Sequence, residues 1–181
     1  MLPDLASMAG FSIDEVEPRV SAGVRFHHRT DAVFHEAPAF LEGQRSIRER
    51  LLELGVRKGP ARAMAHIGVE FMIDAAFVPH KGYLDALALG AQDMGIWRSS
   101  TAAASAAALC GRLHDLAWTP HEVSPRRLSE RLIGALRSRI RLAPLSREAT
   151  LAAELLAAQR HHYQLLAPQI ASYVLNKVGS P

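Results

Sequence analysis

Apolar residues return every three or four positions along most of this chain, and no stretch keeps the two-residue alternation of a half-buried strand. Ser12, Ile13, Asp14 and Glu15 have the form of a capping box, and Pro18 suits a first helical turn. A helix is therefore expected to run to about Glu36, where Pro38 stops it. A second, charged helix, AFLEGQRSIRERLLELG, should end at Gly55. ARAMAHIGVEFMIDAAF then reads as helical to Phe77, with Pro79 beyond it. HKGYLDALALGAQ and SSTAAASAAALCGRLHDLA supply two more helices, and Ser124 is placed to cap RRLSERLIGALRSRI. The final helix, from Ser146 to Lys177, is expected to bend at Pro168. The reading is an all-α protein, one domain over residues 1–181, built as a bundle of seven or eight helices.

Two of these helices carry ligand-type side chains at four-residue spacing, which stacks them along one helical face. In FHHRTDAVFHEAP the series is His27, Asp31 and His35. Val20, Val24, His27, Asp31 and Phe34 fall within about 80° of one another on a helical wheel, so the polar groups share an apolar stripe. His35 lies just beside that stripe and Arg29 points away from it. The second series is His66, Glu70 and Asp74, on a helix apolar nearly all round and hence expected to be buried. Buried carboxylates need partners. One solution is a divalent ion (Mn²⁺, Fe²⁺, Zn²⁺ or Mg²⁺) held by mixed imidazole and carboxylate ligands. The other is a structural network in which Arg25, Arg29 or Arg62 pairs with the acids. The chain contains no HExxH motif.

Composition narrows the class. Thirty alanines and a scarcity of β-branched runs favour helix. The single cysteine, Cys110, excludes an intramolecular disulfide and reads as a small buried hydrophobe. No apolar run is long enough to span a bilayer and the N-terminus lacks the form of a signal peptide, which makes the cytoplasm the expected location. The net charge of +3 is uneven, with 10 basic and 12 acidic groups in residues 1–90 against 11 and 6 in residues 91–181. Seven arginines fall between Arg126 and Arg147. They could attract an acidic partner, but they lack the interleaved aromatics of a nucleic-acid surface, and solvated arginines on amphipathic helices account for most of them.

LPDLASMAGF, followed by EVEPRVSAGVRFHHRTDAVFHEAP, resembles the start of bacterial acyl-carrier-protein phosphodiesterases, helical proteins akin to the HD-domain phosphohydrolases. The matching positions are Leu2, Asp4 and Leu5, then Gly23, His27, Arg29 and Asp31. Glu70 and Asp74 resemble the family's next pair of carboxylates, and HHYQLLAPQIASYV its closing helix. The chain departs from the pattern in three places. It opens three residues before Asp4, so the family's earlier helix is expected to be either missing or lost through a late start. Ala75 stands where a histidine usually follows the second carboxylate, and Glu70 stands where Asp is usual.

The resemblance implies a hydrolase that removes 4′-phosphopantetheine from holo acyl carrier protein, with a divalent metal, Mn²⁺ or Mg²⁺ foremost and Fe²⁺ or Zn²⁺ as alternatives. It implies metal binding by His27, Asp31, Glu70 and Asp74, and the four-residue series add His66 and His35 as further candidate ligands. Asp4 would join His27, Asp31 and Asp74 in holding the metal that activates water, and Arg29 would either bind the phosphate or pair with a ligand carboxylate. Arg45, Arg48 and Arg57 could dock the acidic carrier protein. The alternatives are a metal-dependent hydrolase of a small phosphoester or nucleotide, and a helical interaction module whose ladders are only ion-paired.

Overall fold

In a computed structural model, residues 21–77, 81–92, 96–115 and 123–179 are described. Asp4, the capping box at 12–15 and Pro18 lie outside them. Eight α-helices and no strand occur among the described residues, which bears out the all-α expectation. They are α1 (Ser21–Glu36), α2 (Pro38–Glu53), α3 (Lys58–Phe77), α4 (Lys81–Gln92), α5 (Ser100–Asp115), α6 (Pro125–Leu136), α7 (Ser146–Ala158) and α8 (Arg160–Val178). None is long and apolar enough to cross a membrane.

The chain divides into two compact units. The first comprises Met1–Val33, Val78–Ala117 and Val178–Pro181, and the second Phe34–Phe77 and Trp118–Lys177. In the first, α4 packs on α5 around Leu87, Leu109 and Cys110. Cys110 is buried, as its apolar neighbours predict, and burial raises its thiol pKa. An added side chain at Gly90 would come 3.1 Å from Cys110 Sγ, so the glycine lets the two helices approach.

The second unit is organised around α3, which touches α2, α6 and α7. Ala61, Ala63, Met64, Ala65, Val69 and Met72 are buried on several of its sides. α6 adds Leu128, Leu132 and Leu136 at four-residue spacing. α8 adds Tyr163, Ala167 and Ile170. Each fully buried leucine or isoleucine contributes about 1.5–3 kcal/mol of hydrophobic stabilisation. Exposed Arg126 pairs with Glu130 at 3.0 Å, the solvated arrangement expected for this amphipathic helix. Ser124 caps α6 as its sequence suggests, its hydroxyl accepting from Arg127 N–H at 3.3 Å.

Gly55, beyond the end of α2, has φ +78°, a left-handed conformation that few residues besides glycine adopt cheaply. The C-terminal helical stretch differs from expectation. It breaks at Gln159, whose φ −98° and ψ 14° leave the helical well, whereas Pro168 lies inside α8. Pro168 sits on the exposed side, where water can satisfy the carbonyl that its missing N–H leaves unbonded.

Among the described glycines the tightest site is Gly68, where an added Cβ would come 2.4 Å from Leu156 Cδ1. Leu156 is fully buried and has little room to yield. Gly68→Ala should therefore lower thermal stability, an overpacking cost of about 1–3 kcal/mol exceeding the roughly 1 kcal/mol gained in helix propensity. Gly134, on exposed α6, has nothing within 4 Å of the same position. Gly134→Ala should raise the melting temperature. Opposite signs for these two changes in thermal denaturation would verify the packing of α3 on α7.

Candidate metal centre and adjoining groove

His66 and Glu70 share a face of α3 because four residues advance about 400° and 6 Å. His35 comes from the last turn of α1. Ala37 alone separates α1 from α2, held extended (φ −60°, ψ 125°) as expected before Pro38. It is buried, and its N–H donates to Phe34 O at 3.1 Å. This tight corner swings α2 back so that Phe40 meets both Phe34 and His35, with ring centroids 4.6 and 5.2 Å apart. Phe40 is fully buried and also lies edge-on to His66, at 5.8 Å. The two imidazoles stack over this aromatic floor, 5.0 Å apart and 17° from parallel.

Glu70 closes the cluster. Its Oε1 lies 3.2 Å from His66 Nε2 and 3.6 Å from His35 Nε2. All three side chains are partly exposed, so the ion pairs contribute only about 0–1 kcal/mol each. One ligand atom from each residue falls within 4.8 Å of the others. Donors about 2.0–2.2 Å from a common ion lie roughly 3–4 Å apart, so two imidazoles and a carboxylate at this spacing could hold a divalent cation and leave positions open. Two nitrogen donors favour Zn²⁺ or Fe²⁺ over the more oxygen-seeking Mn²⁺ and Mg²⁺.

Of the residues expected at a site, the structure thus brings together His35, His66 and Glu70. His27 and Asp31 belong to the first unit, His27 half-buried and Asp31 exposed. Arg29 is also exposed there, its guanidinium 5.9 Å from the Phe26 ring centroid.

Asp74 corrects the expectation of a buried acid, since it is exposed one turn beyond Glu70. The open stripe of α3 carries Arg62, His66, Glu70 and Asp74 in succession, while its other sides are buried. Protein crowded against the inner side of Asp74 nevertheless raises its carboxyl to about 6, opposed by the Arg131 guanidinium.

His66 also faces an open groove of about 780 Å³ between α3 and the segment 138–142. Arg62, Arg139 and Arg141 line it. Sequence reasoning treated the last two as solvated and Arg62 as a partner for the acids. Nothing local in the sequence signals that residues 59–66 and 138–142 share a wall. Two arginines expected to dock a protein partner are engaged within the chain. Arg45 pairs with Glu42, and Arg57 donates to Leu142 O at 2.7 Å and Pro144 O at 3.1 Å.

Comparison with family models, curated proteins and solved structures finds no match to this chain.

The raised carboxyl of Asp74 gives a pH test. A carboxyl pKa higher in the folded than in the unfolded state favours the fold at low pH, and that contribution is lost as pH rises from about 4 through 6. Asp74→Asn should match the wild-type melting temperature below about pH 4 and exceed it increasingly up to about pH 6. The open side of Asp74 keeps the gain small. A pH-independent difference would contradict the crowded environment.

Proposed function

We propose that this protein is a metal-dependent phosphoester hydrolase. The observation that supports this reading is the convergence of His35, His66 and Glu70 at the edge of an open groove. A divalent ion held there would supply Lewis-acid polarisation of a phosphoryl oxygen and activation of water. Phe40 and the Ala37 corner bring the two imidazoles together before any ligand arrives, and rotation of the stacked rings would turn their nitrogens onto a common ion. His66 belongs both to the cluster and to the groove, so a phosphoester in the groove would lie beside the ligand set.

The substrate comes from the resemblance of the N-terminal stretch and the carboxylates of α3 to acyl-carrier-protein phosphodiesterases. It is the phosphodiester joining 4′-phosphopantetheine to serine in holo acyl carrier protein. Water would add at phosphorus, the bond from phosphorus to the serine oxygen would break, and that oxygen would take up a proton. Roles for Asp4, Arg29, His27 and Asp31 rest on the resemblance alone. A small phosphoester or nucleotide is the alternative substrate. A second reading, a helical module with an ion-paired cluster, draws on the direct contacts of Glu70 with both imidazoles.

Protein purified without chelator should carry about one divalent ion per chain, and His35→Ala or Glu70→Gln should lose it. With Mn²⁺ or Zn²⁺, wild type should convert holo acyl carrier protein to the apo form, followed by intact mass. Either variant should cut the rate about 100-fold or more while far-UV dichroism stays unchanged. Metal bound without turnover of the carrier protein, but with hydrolysis of bis(p-nitrophenyl) phosphate, would move the substrate to a small phosphoester. Metal content no higher than in Glu70→Gln would overturn the hydrolase and leave the ion-paired module.

A further inference from the structure

The groove beside His66 is charged in a one-sided way. Arg62 stands on α3, one turn before His66. Arg139 and Arg141 stand on the facing segment, flanking Ile140 in a single 3₁₀ turn, Ile140–Leu142. All three arginines are exposed, and none forms an ion pair with another described residue. No carboxylate lines the groove; its uncharged polar lining is Gln44 and Ser138. Apolar surface lies beside the charges, where Leu142 is half-buried and Ile140 is 83% exposed.

The facing wall is held in place by contacts distant in sequence. Arg57 donates to Leu142 O and Pro144 O, and lies 3.4 Å from Glu148 Oε1 on α7. Glu148 is thus occupied with Arg57 and leaves the groove cations uncompensated. At Gly59 an added Cβ would come 3.2 Å from Leu142 Cδ2, so the glycine lets the wall close over the start of α3. An exposed flexible arginine is ordinarily solvated and orders no ligand. Three of them around one concavity, on two elements fixed to each other, form a preorganised positive field instead.

We propose that this groove seats a phosphoester carrying at least two negative charges, its anionic groups on Arg62, Arg139 and Arg141 and its uncharged part against Ile140 and Leu142. A single negative charge, such as that of the carrier-protein phosphodiester, would leave two cations uncompensated. Within the hydrolase reading the groove therefore favours the alternative substrate, a small phosphoester or nucleotide. The phosphoester chemistry rests on the hydrolase reading; the multiple charge rests on the groove alone. Planar guanidinium forks match phosphate oxygens bidentately, which favours clustered phosphoryl oxygens over dispersed carboxylates. Arg57 is a positioning residue here, acting through the wall and not through the ligand.

The test is calorimetric titration of inorganic pyrophosphate and inorganic phosphate into protein treated with EDTA, so that no cation at the cluster contributes. Wild type should bind pyrophosphate about tenfold or more tightly than phosphate. The double variant Arg139→Gln/Arg141→Gln should weaken pyrophosphate about tenfold or more, with its melting temperature unchanged. The charge-matched control Arg48→Gln/Arg126→Gln removes two exposed arginines outside the groove and should change affinity less than about twofold. Arg57→Gln should weaken pyrophosphate and also increase hydrogen exchange at 140–145, which the groove variants should not. No binding by wild type, or equal weakening by the groove pair and the control pair, would overturn the proposal.

The same series separates this proposal from the hydrolase reading. His35→Ala lies outside the groove, so loss of metal and turnover with pyrophosphate binding intact supports both assignments. Wild type that binds pyrophosphate but, purified without chelator, carries no divalent ion and turns over no phosphoester would overturn the hydrolase alone. Metal and turnover without pyrophosphate binding would overturn the groove assignment alone.

Discussion

The burial of α3 is the constraint on which the second unit depends. Ala61, Ala65, Gly68 and Ala75 share one face of α3 and keep it small, so α7 comes close there and excludes water, while Met64, Val69, Met72 and Ile73 fill the core. A helix enclosed in this way can keep charge only on the side left open, because an unpaired buried carboxylate or guanidinium would cost more than any packing returns. Arg62, His66, Glu70 and Asp74 recur at four-residue intervals on that side. Packing and electrostatics therefore lead to one stripe, and the stripe joins the cluster to the groove.

That stripe becomes a cluster only through a group from another helix. A one-residue corner leaves little choice of angle: Pro38 fixes its own φ, holds Ala37 extended, and sets the direction of α2 relative to the last turn of α1. Phe40 then fills the inside of the corner and orders the rings around it. The placement of His35 is thus a packing outcome, made by apolar contacts that take no part in binding an ion. A longer linker between α1 and α2 would keep both helices and lose the convergence.

Much of this was legible in the sequence because it is written in local periodicity. The helices, the Ser124 cap, the turn at Gly55, the burial of Cys110 and the enclosure of α3 all follow from neighbours within one or two turns. Both four-residue ladders were visible too. Their convergence was not, since periodicity fixes which residues share a face and says nothing of which faces meet. His35, set just beside its stripe by the wheel, proves to be the α1 member that meets His66 and Glu70. The groove was invisible for the same reason, its two walls being brought together by an arginine whose acceptors lie 85 and 87 residues further on. The break at Gln159 carries no such local signal, and Pro168, the one proline of that stretch, lies within α8.

The order of charges along α3 carries a last implication. A helix presents partial positive charge at its N-terminus and partial negative charge at its C-terminus, so acids are favoured early and bases late. α3 does the reverse, with Lys58 and Arg62 near its start and Asp74 in its last turn. Each such placement costs about 0.3–1 kcal/mol near a surface, within the terminal turns. Helix stability alone would not select this arrangement. It does sharpen the field outside the helix, since the basic groups add to the positive end beside the groove and the carboxylates add to the negative end beyond the cluster. The side-chain charges of α3 therefore reinforce the external field of its backbone, at a small cost to the helix itself.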